Sequence, residues 1–524
     1  MIDKGERYLM RRPGVLSAAA VATMGLTGCI GTPLPHRPAA APYRCIFNHE
    51  LLIVSHRKDN SREYVESFIK KLEDTDVDAV MCCPQLWRTN TFRSDVDPTW
   101  KSYKPGQPLS KFRSYDYMMT YLHAGGDPVQ ETIDACRKYG KDVFISYRMN
   151  DHHYIQDLEW PCHNDFWRDH PEYWLADSDT SPYSRGKDDV RLHNYMLPEV
   201  RDYYFAIIRE LCTNYDVDGV EFDFQRFPRF FRNDEIAEGT KVMTAFVRRV
   251  RAMVDRIGSE RGKTMRLCAR VPHTIAKCEK AGLDVIGWDA ARLLDMINVS
   301  SFYVHTMEMA IEDFAARTRH ARVYGEMNYV LYQNSKVDRY ARRYTTFEVY
   351  RASALNLFSR GADGLSLFNY DYVPSKVRAV MAPGLKRITD LDFLRTSPKN
   401  YVVYPGFGTF PATNRRTVEV IIPDDTEKVP FDRAVLRVET QKSCADLTIG
   451  VRLNGKLLLE CEHAGVELFG AVAENAGYAT RECLRFYTVP LDLLVAGKNT
   501  VEVENIDQAE QSCRLFSLEI GLFQ

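Results

Sequence analysis

Neither sign of charge is in excess in this chain: 69 basic side chains face 71 acidic ones, for a formal net charge of −2. That balance leaves no field strong enough to gather nucleic acid or an anionic membrane surface, and it suits a neutral substrate better. No two cysteines stand in a Cys-x-x-Cys spacing and no histidines fall into a metal-binding motif. A structural zinc site is therefore not expected, and a catalytic metal is not nominated. Glycine-rich phosphate cradles, Ser-His-Asp elbows and cysteine-nucleophile motifs are missing as well. No cofactor, metal or nucleic-acid partner is expected.

At the N-terminus, Arg11 and Arg12 precede a short apolar stretch, Val15 to Leu26, that ends in Leu26-Thr27-Gly28-Cys29. The stretch is too short to span a bilayer as a permanent helix. A basic flank, an apolar run and small residues before a cysteine read instead as a bacterial lipoprotein signal, with Cys29 as the lipidation site. The chain is expected to be exported and anchored to the cell envelope, touching the membrane only through that lipid. Residues 30 to 43, with Pro33, Pro35, Pro38 and Pro42, read as a tether. Beyond Cys29, the cysteines Cys444, Cys461, Cys483 and Cys513 are candidates for pairing in an exported protein.

A chain of 524 residues, 45% hydrophobic, is globular and too long for one typical domain. From about residue 45 to 385, short apolar runs alternate with longer amphipathic stretches, the pattern of repeated βα units on a parallel sheet. Eight runs are found: Cys45 to His49, Ala79 to Pro84, Asp142 to Met149, Gly219 to Phe224, Met265 to Val271, Met296 to Tyr303, Tyr324 to Val330 and Gly364 to Tyr370. Between them, Glu199 to Tyr215 has the 3.6-residue period, with Val200, Tyr204, Ile207, Ile208 and Leu211 on one face. The fold class is thus α/β, with a (β/α)₈ (TIM) barrel over residues 44–395.

Past residue 400, short alternating runs such as Arg416 to Ile421, Ala434 to Glu439 and Asn499 to Glu504 predict an antiparallel β-sandwich, jelly-roll-like, over residues 396–524. Asn454-Gly455 supplies the positive φ angles of a type I′ hairpin turn. This domain is expected to brace the barrel in preference to binding sugar.

Barrels of this kind carry their reactive groups at the C-terminal ends of the strands. Polar residues there include Asn48-His49-Glu50, the run Tyr147 to His153, and Asn369-Tyr370-Asp371-Tyr372. The sharpest segment runs from Asn214 to Pro228. Strand alternation sends Val220, Phe222 and Phe224 one way and Glu221, Asp223 and Gln225 the other, toward the barrel axis. Asp223 lies nearer the mouth and Glu221 deeper, and Arg226 is close enough in sequence to pair with Asp223.

The stretch Leu197-Pro198-Glu199-Val200-Arg201-Asp202-Tyr203, followed by Asn214-Tyr215-Asp216-Val217-Asp218-Gly219-Val220-Glu221-Phe222-Asp223, resembles the glycosyl-hydrolase-like family-ten barrel proteins of bacteria. In that family a similar helix leads into an Asp-Gly strand whose aspartate, presumed catalytic, falls at Asp223 here. The chain departs from the common pattern at Phe224, where a second acidic residue often follows, and at Asn194, where an aspartate is frequent. The resemblance implies a glycoside hydrolase acting on a polysaccharide or oligosaccharide.

Glycoside hydrolysis commonly uses two carboxyl groups. Glu326, on the seventh strand with Tyr324 and Asn328 on the same face, is the first choice for the second. Asp223 is assigned as nucleophile or stabiliser and Glu326 as acid/base, in a retaining reaction. Glu221, Asp151, Glu308 and Asp371 compete for that role. Substrate-binding candidates are Asn48, Arg148, Asn150, Asp151, His152, Arg226, Arg270, His273, Tyr303, His305, Asn328 and Asn369. Trp87 and Trp160, in loops after the second and third strands, could stack on a pyranose face or cap the barrel. Two rival readings remain: a glycan-binding barrel without catalysis, and a metal-dependent hydrolase using His49, His152, His153, His273 or His305.

Overall fold

The computed structural model describes residues 43–50, 62–175, 191–301, 305–333, 342–370, 382–403, 415–429, 431–440, 444–462, 467–469, 483–506 and 515–524. Eight parallel strands close into a barrel with neighbours in chain order. They are β1 (Cys45–Glu50), β2 (Ala79–Cys83), β3 (Asp142–Arg148), β4 (Gly219–Asp223), β5 (Arg266–Pro272), β6 (Met296–Ser300), β7 (Arg322–Asn328) and β8 (Gly364–Phe368). Each falls on one of the eight apolar runs. Near their starts the strands are apolar on both faces, because both are covered, and toward the mouth they alternate apolar outward with polar inward.

The helices packed outside follow from equally local signals. In α1 (Pro128–Lys138) the Asp127 side chain accepts from the Gln130 N–H at 3.0 Å, with proline at the first helical position. The helix α2 (Pro198–Asn214) also starts on proline and buries Val200, Tyr204, Ile207, Ile208 and Leu211. Against it and β4 lies α3 (Ile236–Glu260), whose Phe246 ring sits 6.0 Å from that of Phe222. The outward set Val220, Phe222 and Phe224 is therefore part of the core between sheet and helices.

Inside the barrel, side chains change character from bottom to top. At the bottom, Tyr43, Ile46, Ala79, Met81, Phe144, Cys268, Met296 and Tyr324 form an apolar plug. Gly219 and Gly364 make room for it: a Cβ on Gly219 would meet the Phe144 ring at 2.4 Å, and one on Gly364 the Tyr324 ring at 2.5 Å. Two residues further along, several strands turn polar inside, as at Asn48, Ser146, Glu221 and Asn298, and two further again β1, β3 and β4 carry Glu50, Arg148 and Asp223.

The C-terminal region forms two antiparallel sheets. One is ordered β9 (Lys399–Val403), β17 (Leu515–Phe523), β11 (Arg433–Thr440), β15 (Leu484–Val489), β14 (Leu459–Cys461). The other is ordered β10 (Arg415–Ile422), β16 (Gly497–Asn505), β12 (Ile449–Leu453), β13 (Lys456–Leu457). Asn454 and Gly455 link β12 to β13 with φ of 49° and 83°, as their sequence predicts. Barrel and sandwich share a core: Met307, Leu331, Val349 and Ala352 pack in one cluster with Tyr401, Val402, Val420 and Ile422. Asn356, on α4 (Phe347–Ser359), adds a 2.9 Å hydrogen bond to the Ile421 carbonyl. Cys444 is disulfide-bonded, whereas Cys461 and Cys483 are thiols; Cys29 and Cys513 lie outside the described residues.

Candidate active site

Three tiers of polar side chains rise through the upper barrel. The lowest centres on Glu221, inward on β4 and fully buried. Its Oε1 accepts from Asn48 Nδ2 and Ser146 Oγ, both at 2.7 Å, and its Oε2 accepts from Asn298 Nδ2 at 3.2 Å. The Cys268 thiol lies 3.5 Å from Oε2. Burial is the main force pushing the Glu221 carboxyl up to about 7; the Ser146 hydrogen bond works against it and the charge of Asp223 adds to it.

Above it, Asp223 and Glu326 share one guanidinium. Arg270 Nη1 donates to Asp223 Oδ1 and Oδ2 at 3.0 and 3.1 Å. Its Nε and Nη2 donate to the two oxygens of Glu326 at 2.5 and 2.9 Å. The guanidinium also stacks on Phe368, 4.1 Å from the ring centroid, and reaches Ser300 Oγ at 3.1 Å. Burial opposes its charge, but Asp223 and Glu326 outweigh burial and hold Arg270 well above the usual arginine range.

The two carboxylates differ in their further partners. Asp223 Oδ1 accepts backbone N–H groups of its own loop, from Gln225 and Arg226 at 3.2 Å. Glu326 Oε1 accepts from Ser300 Oγ at 2.5 Å and Asn328 Nδ2 at 3.2 Å, and its side chain has no exposed surface. Each Glu326 oxygen, expected to face substrate, is engaged within the barrel wall.

A third tier rims the mouth. Glu50, inward at the end of β1, pairs with Arg148, lies 3.2 Å from Arg226 Nη1 and accepts from Asn369 Nδ2 at 3.0 Å. Burial raises its carboxyl, yet Arg226 and Arg148 prevail and hold it down to about 2. Asp151 joins through Arg148 at 3.3 Å and His153 Nδ1 at 2.9 Å. Arg226, expected beside Asp223, thus bonds to it through its backbone N–H while its guanidinium turns to Glu50. Sequence reasoning does not single out Glu50 and Ser300 as site residues, although the two-residue period from Asn48 and from Asn298 reaches both.

The loops above this rim are strained. Six non-glycine residues among those described have positive φ, and four stand just beyond barrel strands: Trp87 (58°), Tyr154 (53°), Phe227 (60°) and Asn369 (50°). A bulky side chain on left-handed backbone costs about 1–2 kcal/mol, so surrounding contacts must hold each one there, and such residues concentrate at functional sites.

Other sequence candidates go elsewhere. Asn150 pins two loops, donating to the carbonyls of His193 and Arg229 at 3.2 and 2.9 Å. His305 packs away from the mouth, with Nε2 2.5 Å from Ser353 Oγ on α4. The His273 ring lies 2.8 Å from Lys277 Nζ, and His49 stacks on Phe68 outside the barrel. His152 is half-buried beside Phe227, with ring centroids 5.1 Å apart. Trp160 is buried beneath Trp87, which is half-exposed. Glu308 lines a cavity of about 390 Å³ between barrel and sandwich, together with Arg416. Tyr303 and Asp371 lie outside the described residues. Among the described residues, no group of three or more His, Cys, Asp or Glu side chains is gathered as for a metal ion.

The sequence profile of the family described as glycosyl hydrolase-like 10 matches residues 51–333, more than half of the chain. No curated protein sequence matches the chain. Among solved structures, an α-L-fucosidase (isoenzyme 1) from Paenibacillus thiaminolyticus is 14% identical, with 88% of this chain and 96% of that one covered and a TM-score of 0.36. The glycoside hydrolase domain of PgaB (BpsB) from Bordetella bronchiseptica is 11% identical, with 67% and 99% covered and a TM-score of 0.44. A maltogenic α-amylase, AmyB, from Thermotoga neapolitana is 11% identical, with 87% and 98% covered and a TM-score of 0.40.

Proposed function

The chain belongs to the glycosyl hydrolase-like 10 family, and from that premise we propose that it hydrolyses glycosidic bonds of a polysaccharide or oligosaccharide, with Asp223 as the carboxylate that meets the sugar. The observation that carries this reading is the position of Asp223: inward at the mouth end of β4, clamped by Arg270 on one side. A carboxylate so held can stabilise the positive charge that develops on the sugar, or attack its anomeric carbon, with little reorganisation.

In this proposal Glu326 acts through Arg270, fixing the guanidinium against Asp223, and replaces the acid/base role expected from its sequence position. Glu221 serves as the proton-holding partner beneath. Fully buried a tier below Asp223 and pushed up to about 7, Glu221 is a positioning group that does not itself meet the sugar. Asn48, Arg148, Asp151, Arg226, Asn328 and Asn369 shape the surrounding wall. Retention of configuration remains the proposed outcome.

The test is turnover of a panel of aryl glycosides and bacterial or algal polysaccharides by the purified chain, alongside Asp223→Asn and Glu326→Gln. Loss of turnover in Asp223→Asn, with azide restoring it as a glycosyl azide, is the expected result. Undiminished turnover in Asp223→Asn would remove Asp223 from the chemistry.

One observation favours a second reading, a glycan-binding barrel without turnover. Phe224 and Gln225 follow Asp223 where acidic side chains could have stood, and Glu326 is enclosed. Glycan binding without hydrolysis of any substrate in the panel would select it. Export and anchoring through Cys29 are proposed from the N-terminal sequence, and failure of Cys29 to incorporate labelled fatty acid would refute them.

A further inference from the structure

The aromatic side chains beyond β2, β3 and β4 form a continuous series leading away from Asp223. Phe227 belongs to the same loop as Asp223, whose Oδ1 accepts the Arg226 N–H at 3.2 Å. From the Phe227 ring to that of His153 is 5.4 Å, from His153 to Trp87 6.2 Å, and from Trp87 to Tyr154 6.5 Å. Trp87 and Phe227 are half-exposed and Tyr154 is 45% exposed. Beneath them, buried Trp160 supports Tyr154 at 4.2 Å and Trp87 at 4.7 Å. Arg88 Nη1 donates to the His153 carbonyl at 2.9 Å, tying the loop after β2 to the loop after β3.

A hydrophobic cluster formed for packing alone would bury its rings. Here three of the rings that keep exposed surface are held on left-handed backbone, and His153 and Phe112 beside them are half-exposed as well. The charges beside them are matched: Glu50 by Arg148 and Arg226, Asp151 by Arg148, and Asp223 by Arg270. Exposed rings set among balanced charges, each at a steep angle to the next, suit contact with the C–H faces of successive uncharged pyranoses, and a polyanion would find no excess positive charge to meet.

We infer that Phe227, Trp87 and Tyr154 form a stacking ledge that binds consecutive sugar units of a neutral glycan, running outward from Asp223 over the β2 and β3 loops. The ledge rests on the glycan-cleaving reading for its orientation, since Asp223 marks where the bond to be cut lies. It makes the chain selective for oligomers over single-sugar glycosides.

The test separates the two ideas by measuring binding apart from turnover. The full chain carrying Asp223→Asn is run in affinity gels containing laminarin, hydroxyethyl cellulose, mannan or, as the polyanionic control, alginate. Retardation by a neutral polysaccharide is expected, weakened at least ten-fold by Trp87→Ala and by Tyr154→Ala and retained in Tyr154→Phe. In the active chain, Tyr154→Ala should lower kcat/KM for the polymer at least ten-fold more than for an aryl glycoside. If the chain turns nothing over but the gel result holds, the ledge stands and the hydrolase reading falls. Retardation equal in all variants, retardation by alginate alone, or none in any gel overturns the ledge.

Discussion

Two buried arginine–carboxylate networks, one in the barrel and one in the sandwich, use nearly the same parts. In the sandwich, Arg437 pairs with Glu519 directly across β11 and β17 and lies over the Phe469 ring at 5.0 Å. Asn400 Nδ2 donates to Glu519 Oε2 at 2.7 Å. In the barrel, Arg270 lies over Phe368 and pairs with Asp223 and Glu326. Both arginines are wholly buried. A buried ion pair is therefore not by itself the mark of a site. What differs is the setting: the barrel pair joins two carboxylates through one cation, at the strand ends beneath loops held in left-handed conformation.

The largest expected difference between the networks is chemical. Asp223→Asn keeps the shape of the side chain and removes its charge, so turnover should fall by about 10³-fold or more. Its circular dichroism should stay close to that of the parent, while its melting temperature should drop, because Arg270 then keeps only Glu326 as a charged partner among these two. Arg437→Met should leave turnover per folded molecule unchanged, and a large loss there would erase the distinction between the networks.

Next comes stability. Arg270→Met leaves two buried carboxylates facing each other without their cation, and Arg437→Met leaves Glu519 with Asn400 and Ser517. Removing one partner of a buried pair costs about 3–5 kcal/mol. Arg270→Met should lie at the upper end and Arg437→Met at the lower, read by urea denaturation. The reverse order would contradict the difference in partner sets.

The pH dependence should separate the regions too. Glu221 is pushed up to about 7 from an ordinary 4.5, so the folded protein binds a proton there that the unfolded chain releases. Its contribution is fully present below pH 4.5 and is lost as pH rises through 7, by roughly 3 kcal/mol in total. Buried histidines held low, such as His49, change stability in the opposite sense but do so equally in a variant. The stability of the parent minus that of Glu221→Gln should therefore fall between about pH 5 and 8. A flat difference would show that Glu221 ionises normally.

The smallest effect concerns the plug beneath. Gly219→Ala places a methyl group only 2.4 Å from both the Phe144 ring and the Arg266 carbonyl oxygen, and should cost about 1–3 kcal/mol. Differential scanning calorimetry would read it.

Much of this is legible from residue order. Alternation along Gly219–Asp223 assigns Glu221 and Asp223 to the axis and Phe222 to the helices, since successive strand side chains must point to opposite faces. The same parity reaches Glu50 and Ser300, but serines and rim acids are too common at strand ends to stand out alone. Arg270 is recognisable as polar at a strand end, while its role between two carboxylates is not legible, because its partners lie on β4 and β7, 47 and 56 residues away.

The sequence by itself determined the eight strands, their inward and outward faces, the β-rich C-terminal region and the Asn454-Gly455 turn. Each is set by local backbone geometry and by which side chains water excludes. The tertiary structure decided which arginine meets which acid, that the Glu326 side chain is fully enclosed while that of Asp223 keeps 5% of its surface open, and that Trp87, Tyr154 and Phe227 line up beyond the strands. Those outcomes depend on barrel closure, which brings together strand ends far apart in the chain, and on loop conformations that only the assembled packing can hold against their strain.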